Sequence, residues 1–434
     1  MALSLERGDL LPRMSTDVPG PASLRLSEEI GRLEAPGINT LYGGKPNLFW
    51  HQALGSNVLD VDGNIFIDLT AGFGVAGVGH RHPKVVAAVE QQTKSLIHGL
   101  GDAIGHPYRV ELARRLQRIS PIPDTRVYFA VSGADAVEIA VKTALLVHRG
   151  RRSKILAFRP SYHGLTLGAL GLSSREAFRN PFSAHLHPEV DHLPYACDPG
   201  QVEEALDRRG DVAAVVMEPI VGREGVLVPP EGWSTALARL CRDKGALLIA
   251  DEIFTGFGRA GSWFAVDREK VVPDLICCGK SMTGGMPMAA VLGPSKLMEA
   301  WASPGEALHT GTFVAHPVAC AAASANLDVL EAENLCAKAV DIGRRIGART
   351  ADWTRRFPAV VDVRGVGALW GFELADADLG AVVVREAWRR GILVLVGGPE
   401  GRVGQIVPPL VVTRQQLDHA LGALEEILGS LEGR

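Results

Sequence analysis

No apolar run in this chain approaches the roughly 20 residues that a membrane-spanning helix requires. The amino terminus, MALSLERGDLLPRM, lacks an apolar stretch of signal-peptide length. Neither insertion into a membrane nor secretion is therefore expected. Zinc-ligand spacing is missing too: the 6 cysteines lie at 197, 241, 277, 278, 320 and 336, and Cys277-Cys278 sits inside an apolar, strand-like run. Buried, reduced thiols, no metal site and a cytoplasmic location are the expectation. An excess of basic residues is also absent. Lys and Arg number 45 against 49 Asp and Glu, for a net charge of -4, which argues against nucleic acid or an anionic membrane as partner. No internal repeat is evident.

What the chain does have is length and apolar content. Its 434 residues suit two or three domains at about 150 residues each. Hydrophobic residues make up 47% and charged residues 22%, the balance of a globular enzyme with a large core. The segment 1–35 is polar and rich in Pro and Ser and reads as an arm, with a short helix over 24–33. Asn57 to Asp68 alternates apolar and polar residues around Asp62-Gly63, which predicts a hairpin. Residues 72–79 are Gly-rich and read as loop. From about 107 to 300, apolar strand-like runs (126–131, 155–158, 212–217, 246–251, 275–278, 289–292) alternate with helical segments. That pattern argues an α/β fold with a mainly parallel sheet covered on both faces. After about 335, helices mix with strand-like runs at 360–364, 368–374, 392–396 and 405–410, as in a separate α+β domain.

The chemistry concentrates between Leu247 and Gly285. One apolar run ends in Asp251, and another, Leu275 to Cys278, ends in Gly279-Lys280. A lysine amine that forms a Schiff base with an aldehyde, and a carboxylate that pairs with a pyridinium nitrogen, are what pyridoxal phosphate needs. Taken singly, Asp251 also admits the lesser reading of a helix cap, and Lys280 that of a solvated lysine, which the buried run before it and Gly284-Gly285 after it disfavour. Ser132-Gly133-Ala134 joins a strand to a helix and offers backbone N–H groups at the positive end of a helix dipole. That is a phosphate site or an ordinary N-cap. Tyr162, just past a strand end, is placed either to stack on a planar ring or to sit in a loop.

Together these stretches resemble the class III (omega, acetylornithine and 4-aminobutyrate type) aminotransferases. The resemblance runs from about Asn57 to Thr413 and rests on Ser132-Gly133-Ala134, Tyr162-His163-Gly164, Glu218-Pro219, Asp251-Glu252, Thr255-Gly256, Gly258-Arg259-Ala260-Gly261, Gly279-Lys280, His309 to Pro317, Arg364-Gly365 and Pro408-Pro409. It implies a pyridoxal 5′-phosphate enzyme of fold type I. Such an enzyme has a large cofactor domain with a mainly parallel seven-stranded sheet (71–330), an N-terminal arm and hairpin (1–70), and a small α+β domain (331–434) against which the arm and hairpin pack. It also implies site roles. Lys280 would be the Schiff-base lysine and proton carrier. Asp251 would serve as the ring-nitrogen carboxylate, while Ser132, Gly133 and Ala134 hold the phosphate. Tyr162-His163 and Ile253 would cover the two ring faces, and Glu218 would be a supporting acid. Thr312 would reach the partner's phosphate in a homodimer or tetramer with shared sites.

The departures bear on substrate. The family's first carboxylate-binding Arg is replaced by Leu165, its second by Gln405, and its switching Glu by Arg223. The Gln expected at the cofactor's phenolic oxygen is Phe254, and Asp135 stands where Glu is usual. A more apolar pocket is implied, with Arg223 or Arg402 left to bind a carboxylate. The expected activity is transfer of an amino group between a primary amine or amino acid and a keto acid. The alternatives on the same scaffold are an amino-acid epimerase, racemase or aminomutase, and a silent binding protein.

Overall fold

The computed structural model describes residues 4–38 and 47–431; residues 1–3, at the start of the expected arm, 39–46 and 432–434 lie outside the described residues. The chain divides into two compact units. One is continuous, Pro83–Val340, and the other joins Met1–His82 to Asp341–Arg434. The limits of these units fall after His82 and after Val340.

The continuous unit is built on a seven-stranded sheet. Its strands in chain order are β1 (Thr125–Ala130), β2 (Lys154–Arg159), β3 (Val190–Pro194), β4 (Val212–Met217), β5 (Leu247–Asp251), β6 (Leu275–Cys278) and β7 (Ala289–Pro294). They lie in the order β1-β7-β6-β5-β4-β2-β3. Pairings among β6, β5, β4, β2 and β3 are parallel, and β7 alone runs antiparallel to its two neighbours. The central strands are short, fully buried apolar runs: every residue of β4 and of β6 is buried. An apolar run without alternation is what burial of both sheet faces requires. The helix Gly133–His148 supplies one cover, burying Ala136, Val137, Ile139, Ala140 and Ala144 against the sheet. Strand β3 went unread because VDHLP is only half-buried and lies at the edge, where Asp, His and Pro are tolerated.

In the discontinuous unit the expected hairpin is present, with Asn57–Asp60 antiparallel to Ile65–Asp68. Two expected strands are corrected. The run 392–396 is not one strand: Ile392–Leu393 pairs in parallel with Ile67–Asp68, whereas Leu395–Gly397 joins a second sheet beside Val403–Ile406. Apolar character required burial on both sides but did not specify a partner. The run 405–410 ends as a strand at Ile406, because Pro408 and Pro409 have no N–H for a ladder. Among the described residues no helix is long and apolar enough to cross a membrane.

Ile249 lies fully buried in β5, two residues before Asp251. Ile249→Ala should lower unfolding free energy by about 2–5 kcal/mol through lost transfer energy and a cavity. Urea unfolding at unchanged slope checks this; a loss under about 1 kcal/mol would mean that the strand relaxes around the hole.

Candidate functional site

Strands β1, β2, β4, β5 and β6 all end at the same edge of the sheet, since β1 is antiparallel to β7 and β7 to β6. Their carboxyl ends are where ligands bind in open α/β sheets. There they surround a cavity of about 290 Å³ lined by Ser132, Gly133, Ala134, Tyr162, His163, Gly164, Leu165, Glu218, Arg223, Asp251, Ile253, Phe254 and Lys280. The sequence reading named all of these for the site except Gly164 and Phe254, the latter having been noted only as a substitution.

At the end of β1, Ser132 caps the helix Gly133–His148, its hydroxyl accepting from Asp135 N at 3.2 Å. The first intrahelical bond runs from Ala136 N to Ser132 C=O at 3.0 Å. The N–H groups of Gly133 and Ala134 precede it and stand at the positive end of the dipole, suited to a phosphate dianion.

The centre of the cavity holds three buried ionisable groups. Asp251 Oδ2 bonds His163 Nδ1 at 2.7 Å, and Asp251 Oδ1 accepts from Ile253 N at 3.1 Å. Burial would lower the His163 imidazole, but the hydrogen bond and charge of Asp251 outweigh it and raise the pKa. His163 Nε2 is buried with no hydrogen-bond partner among the described residues. Glu218 accepts from Tyr162 N and Gly222 N, each at 2.9 Å. Burial, reinforced by the charge of Asp251, pushes the Glu218 pKa up to about 7.

Lys280 follows β6 with a left-handed backbone, φ 39°. It is reached through the cavity yet enclosed by protein on its other sides. The resulting desolvation lowers its pKa to about 8, against the opposing pull of Asp251 and Glu218. Its amine lies 4.3 Å from the centre of the Phe254 ring. That ring is seated by Gly222, where a β-carbon would come within 1.9 Å of it. The signal was available in the sequence: an aromatic three residues after the strand-end acid, and a glycine four residues after Glu218. Gly164, at φ 126°, brings the Tyr162–Leu165 turn against Ala134; a β-carbon there would lie 2.5 Å from Ala134 Cβ.

Arg223 lies over the Tyr162 ring at 4.7 Å and near Phe178 at 5.7 Å. The neighbouring acid, Glu224, is buried and bonded by Arg175 at 2.8 and 3.2 Å. Leu165 is 53% exposed at the cavity rim. Three expected residues are not among those lining the cavity. Thr312 is exposed, its backbone against Gly101. Gln405 and Arg402 belong to the other unit. There Gln405 pairs across the strands with Gly371, while Arg402 donates twice to Leu374 C=O at 3.2 Å and lies 3.7 Å from Glu373.

A strand-end carboxylate paired to an imidazole, a desolvated lysine and a helix-start anion site, on a mainly parallel seven-stranded sheet, define a fold type I pyridoxal-phosphate enzyme. The model of the class-III aminotransferases matches residues 42–428. The chain is 37% identical to an acetylornithine aminotransferase of Methanothermobacter thermautotrophicus, over 93% of this chain and all of that protein. It is 34% identical to an alanine/serine racemase of Pyrococcus horikoshii, over 96% of this chain and 92% of that one. A solved ornithine aminotransferase of Toxoplasma gondii, with pyridoxal phosphate partly occupying its active site, superposes with a TM-score of 0.85 at 31% identity. That match covers 95% of this chain and 97% of the other. The protein belongs to the class-III aminotransferase family. It is a pyridoxal-phosphate-dependent transaminase, and an amine or amino acid and a keto acid are its substrates.

The lowered pKa of Lys280 has a direct consequence for reactivity. The folded value lies below the ordinary 10.5, so the nucleophilic free amine is present from about pH 8 upward. Reductive methylation of the cofactor-free protein, read by mass spectrometry of the Lys280 peptide, should rise with a midpoint near pH 8. A midpoint at the ordinary lysine value would mean that the amine is hydrated.

Proposed function

We propose that the cavity holds pyridoxal phosphate between the helix-start turn and Asp251, with Lys280 as its covalent anchor, and that it transfers the amino group of a carboxylate-bearing or plain amine to a keto acid. The observation that carries this reading is the convergence of Asp251, Lys280 and the turn 132–134, from three separate strand ends, on one cavity. When bound, the cofactor supplies an aldehyde that captures amines and a protonated ring that takes up electron density as a bond at the substrate's carbon breaks. The chain's residues do the rest. Gly133 and Ala134 N–H groups, with the Ser132 hydroxyl, bind the phosphate. Asp251, held by His163 and Ile253 N, presents negative charge to the ring nitrogen and keeps it protonated. Tyr162 and Ile253 sandwich the ring. Lys280, whose desolvated amine loses its proton near pH 8, carries the proton to and from the substrate carbon. Glu218 fixes the backbone at Tyr162 and Gly222.

The assembly fitted to this site is a homodimer in which Thr312 serves the partner's phosphate. Beside Thr312 the surface exposes Leu100, Ile104 and Phe313, each about three-fifths accessible, an apolar patch that a second copy would cover. The six cysteines are free thiols, four of them buried, which suits a reducing, cytoplasmic compartment.

The racemase among the relatives makes a second reading specific: inversion of an amino acid without an acceptor. Purified enzyme should consume an amino donor only when a keto acid is added, and Lys280→Ala should reduce turnover by at least a thousandfold, since nucleophile and proton carrier are lost together. Racemisation of an amino acid without a keto acid would replace transamination with the second reading. More than a thousandth of the activity left in Lys280→Ala would remove Lys280 from its role.

For carboxylates, Leu165 and Gln405 offer no positive charge, and Arg402 is engaged by Leu374 and Glu373. Arg223, on the cavity wall and over the Tyr162 ring, is the guanidinium we assign to bidentate recognition. Arg223→Ala should lower kcat/KM for the keto-acid acceptor by about 10- to 150-fold and leave a carboxylate-free amine nearly unchanged. Equal losses on both substrates would transfer carboxylate binding to another group.

A further inference from the structure

A chain of polar contacts starts at the phosphate turn and runs away from the cavity. Asp135, in the first turn of the helix Gly133–His148, accepts from Val131 N through Oδ2 at 2.9 Å. Its other oxygen, Oδ1, meets His309 Nε2 at 2.8 Å. His309 Nδ1 in turn lies 2.8 Å from Lys142 Nζ, two helical turns beyond Asp135. An ammonium has only protons to give, so Lys142 donates to Nδ1, and the imidazole is the Nε2–H tautomer that donates to Asp135. The Tyr128 hydroxyl donates to the His309 carbonyl, and the Trp301 ring packs edge-on against the imidazole at 6.4 Å. The His309 and Asp135 side chains are only 15% and 23% exposed, so water does not screen this chain fully.

The chain of contacts answers an electrostatic problem. A carboxylate two residues past Gly133 shapes the turn through Val131 N and favours the helix start, but it also stands next to the place where a phosphate dianion would bind. Unopposed, its charge would repel that dianion. Lys142, through His309, offsets it while leaving the carboxylate in place to hold the turn. His309 also lies three residues before Thr312, so the same contact ties the phosphate turn to the segment assigned to the partner's site.

We propose that His309, backed by Lys142, is a positioning residue for cofactor-phosphate recognition: it holds Asp135 and balances its charge. This rests on the reading that the turn 132–134 carries the phosphate. The test is binding to the cofactor-free protein, with pyridoxal phosphate and unphosphorylated pyridoxal as paired probes, followed by absorbance or fluorescence. Wild-type protein should prefer the phosphorylated form. His309→Ala should cut that preference about tenfold, with pyridoxal affinity and the melting temperature of the cofactor-free protein nearly unchanged. His309→Gln, whose amide can donate to Asp135 and accept from Lys142, should restore most of the preference. Equal weakening of both probes in His309→Ala, an unchanged preference, or His309→Gln behaving as the alanine variant would overturn the proposal. A wild-type protein that does not distinguish the two probes would instead refute the assignment of the turn.

Discussion

The hydrogen bond between Asp251 and His163 is the contact around which the site is organised, because both groups are out of water. A buried carboxylate is costly unless hydrogen bonds and opposite charge compensate it. Here the compensation comes from His163 at 2.7 Å and from the Ile253 N–H. Glu218, close enough for Asp251 to disfavour its ionisation, is met the same way by the N–H groups of Tyr162 and Gly222. Each of these donors belongs to a loop that leaves a strand end. The loops after β2, β4 and β5 are thus fixed in shape by the need to satisfy buried acids, and that same shape places Tyr162, Arg223 and Ile253 on the cavity wall.

Lys280 depends on a different device. Strand β7 is the one strand that reverses direction, so the connection from Cys278 to Ala289 only has to turn back beside its own strand. The lysine stands at the start of this return with a positive φ, a conformation costing a non-glycine residue roughly 1–2 kcal/mol. Such strain persists only where surrounding packing over-determines it. Ser281 and Met282, both buried just beyond, supply that packing.

The parts of this architecture that could be read from sequence are those in which burial is complete. Val212–Met217 and Leu275–Cys278 contain no polar residue, so their type, and the meaning of the Asp251 and Lys280 that end two such runs, followed from the letters. The edge strand at 190–194 was missed because exposure lets Asp and His into it. The division of 392–396 between two sheets was missed because hydrophobicity names no partner. Asp135 stood out in sequence only as a replacement for the usual Glu; its bond to His309, 174 residues away in sequence, is a tertiary contact that no local pattern announces. The seating of Phe254 by Gly222 is of the same kind, set by two loops that meet only when the sheet is formed.

That seating also constrains the order in which this pocket can change through descent. While Phe254 is present, any side chain at 222 collides with its ring, so position 222 is closed to substitution. Once a smaller residue replaces Phe254, position 222 opens, and a side chain fixed there would then bar the aromatic ring from returning. The two positions form a ratchet: a lineage can leave the aromatic pocket in single steps, but after the second step it cannot re-enter by reversing the first alone.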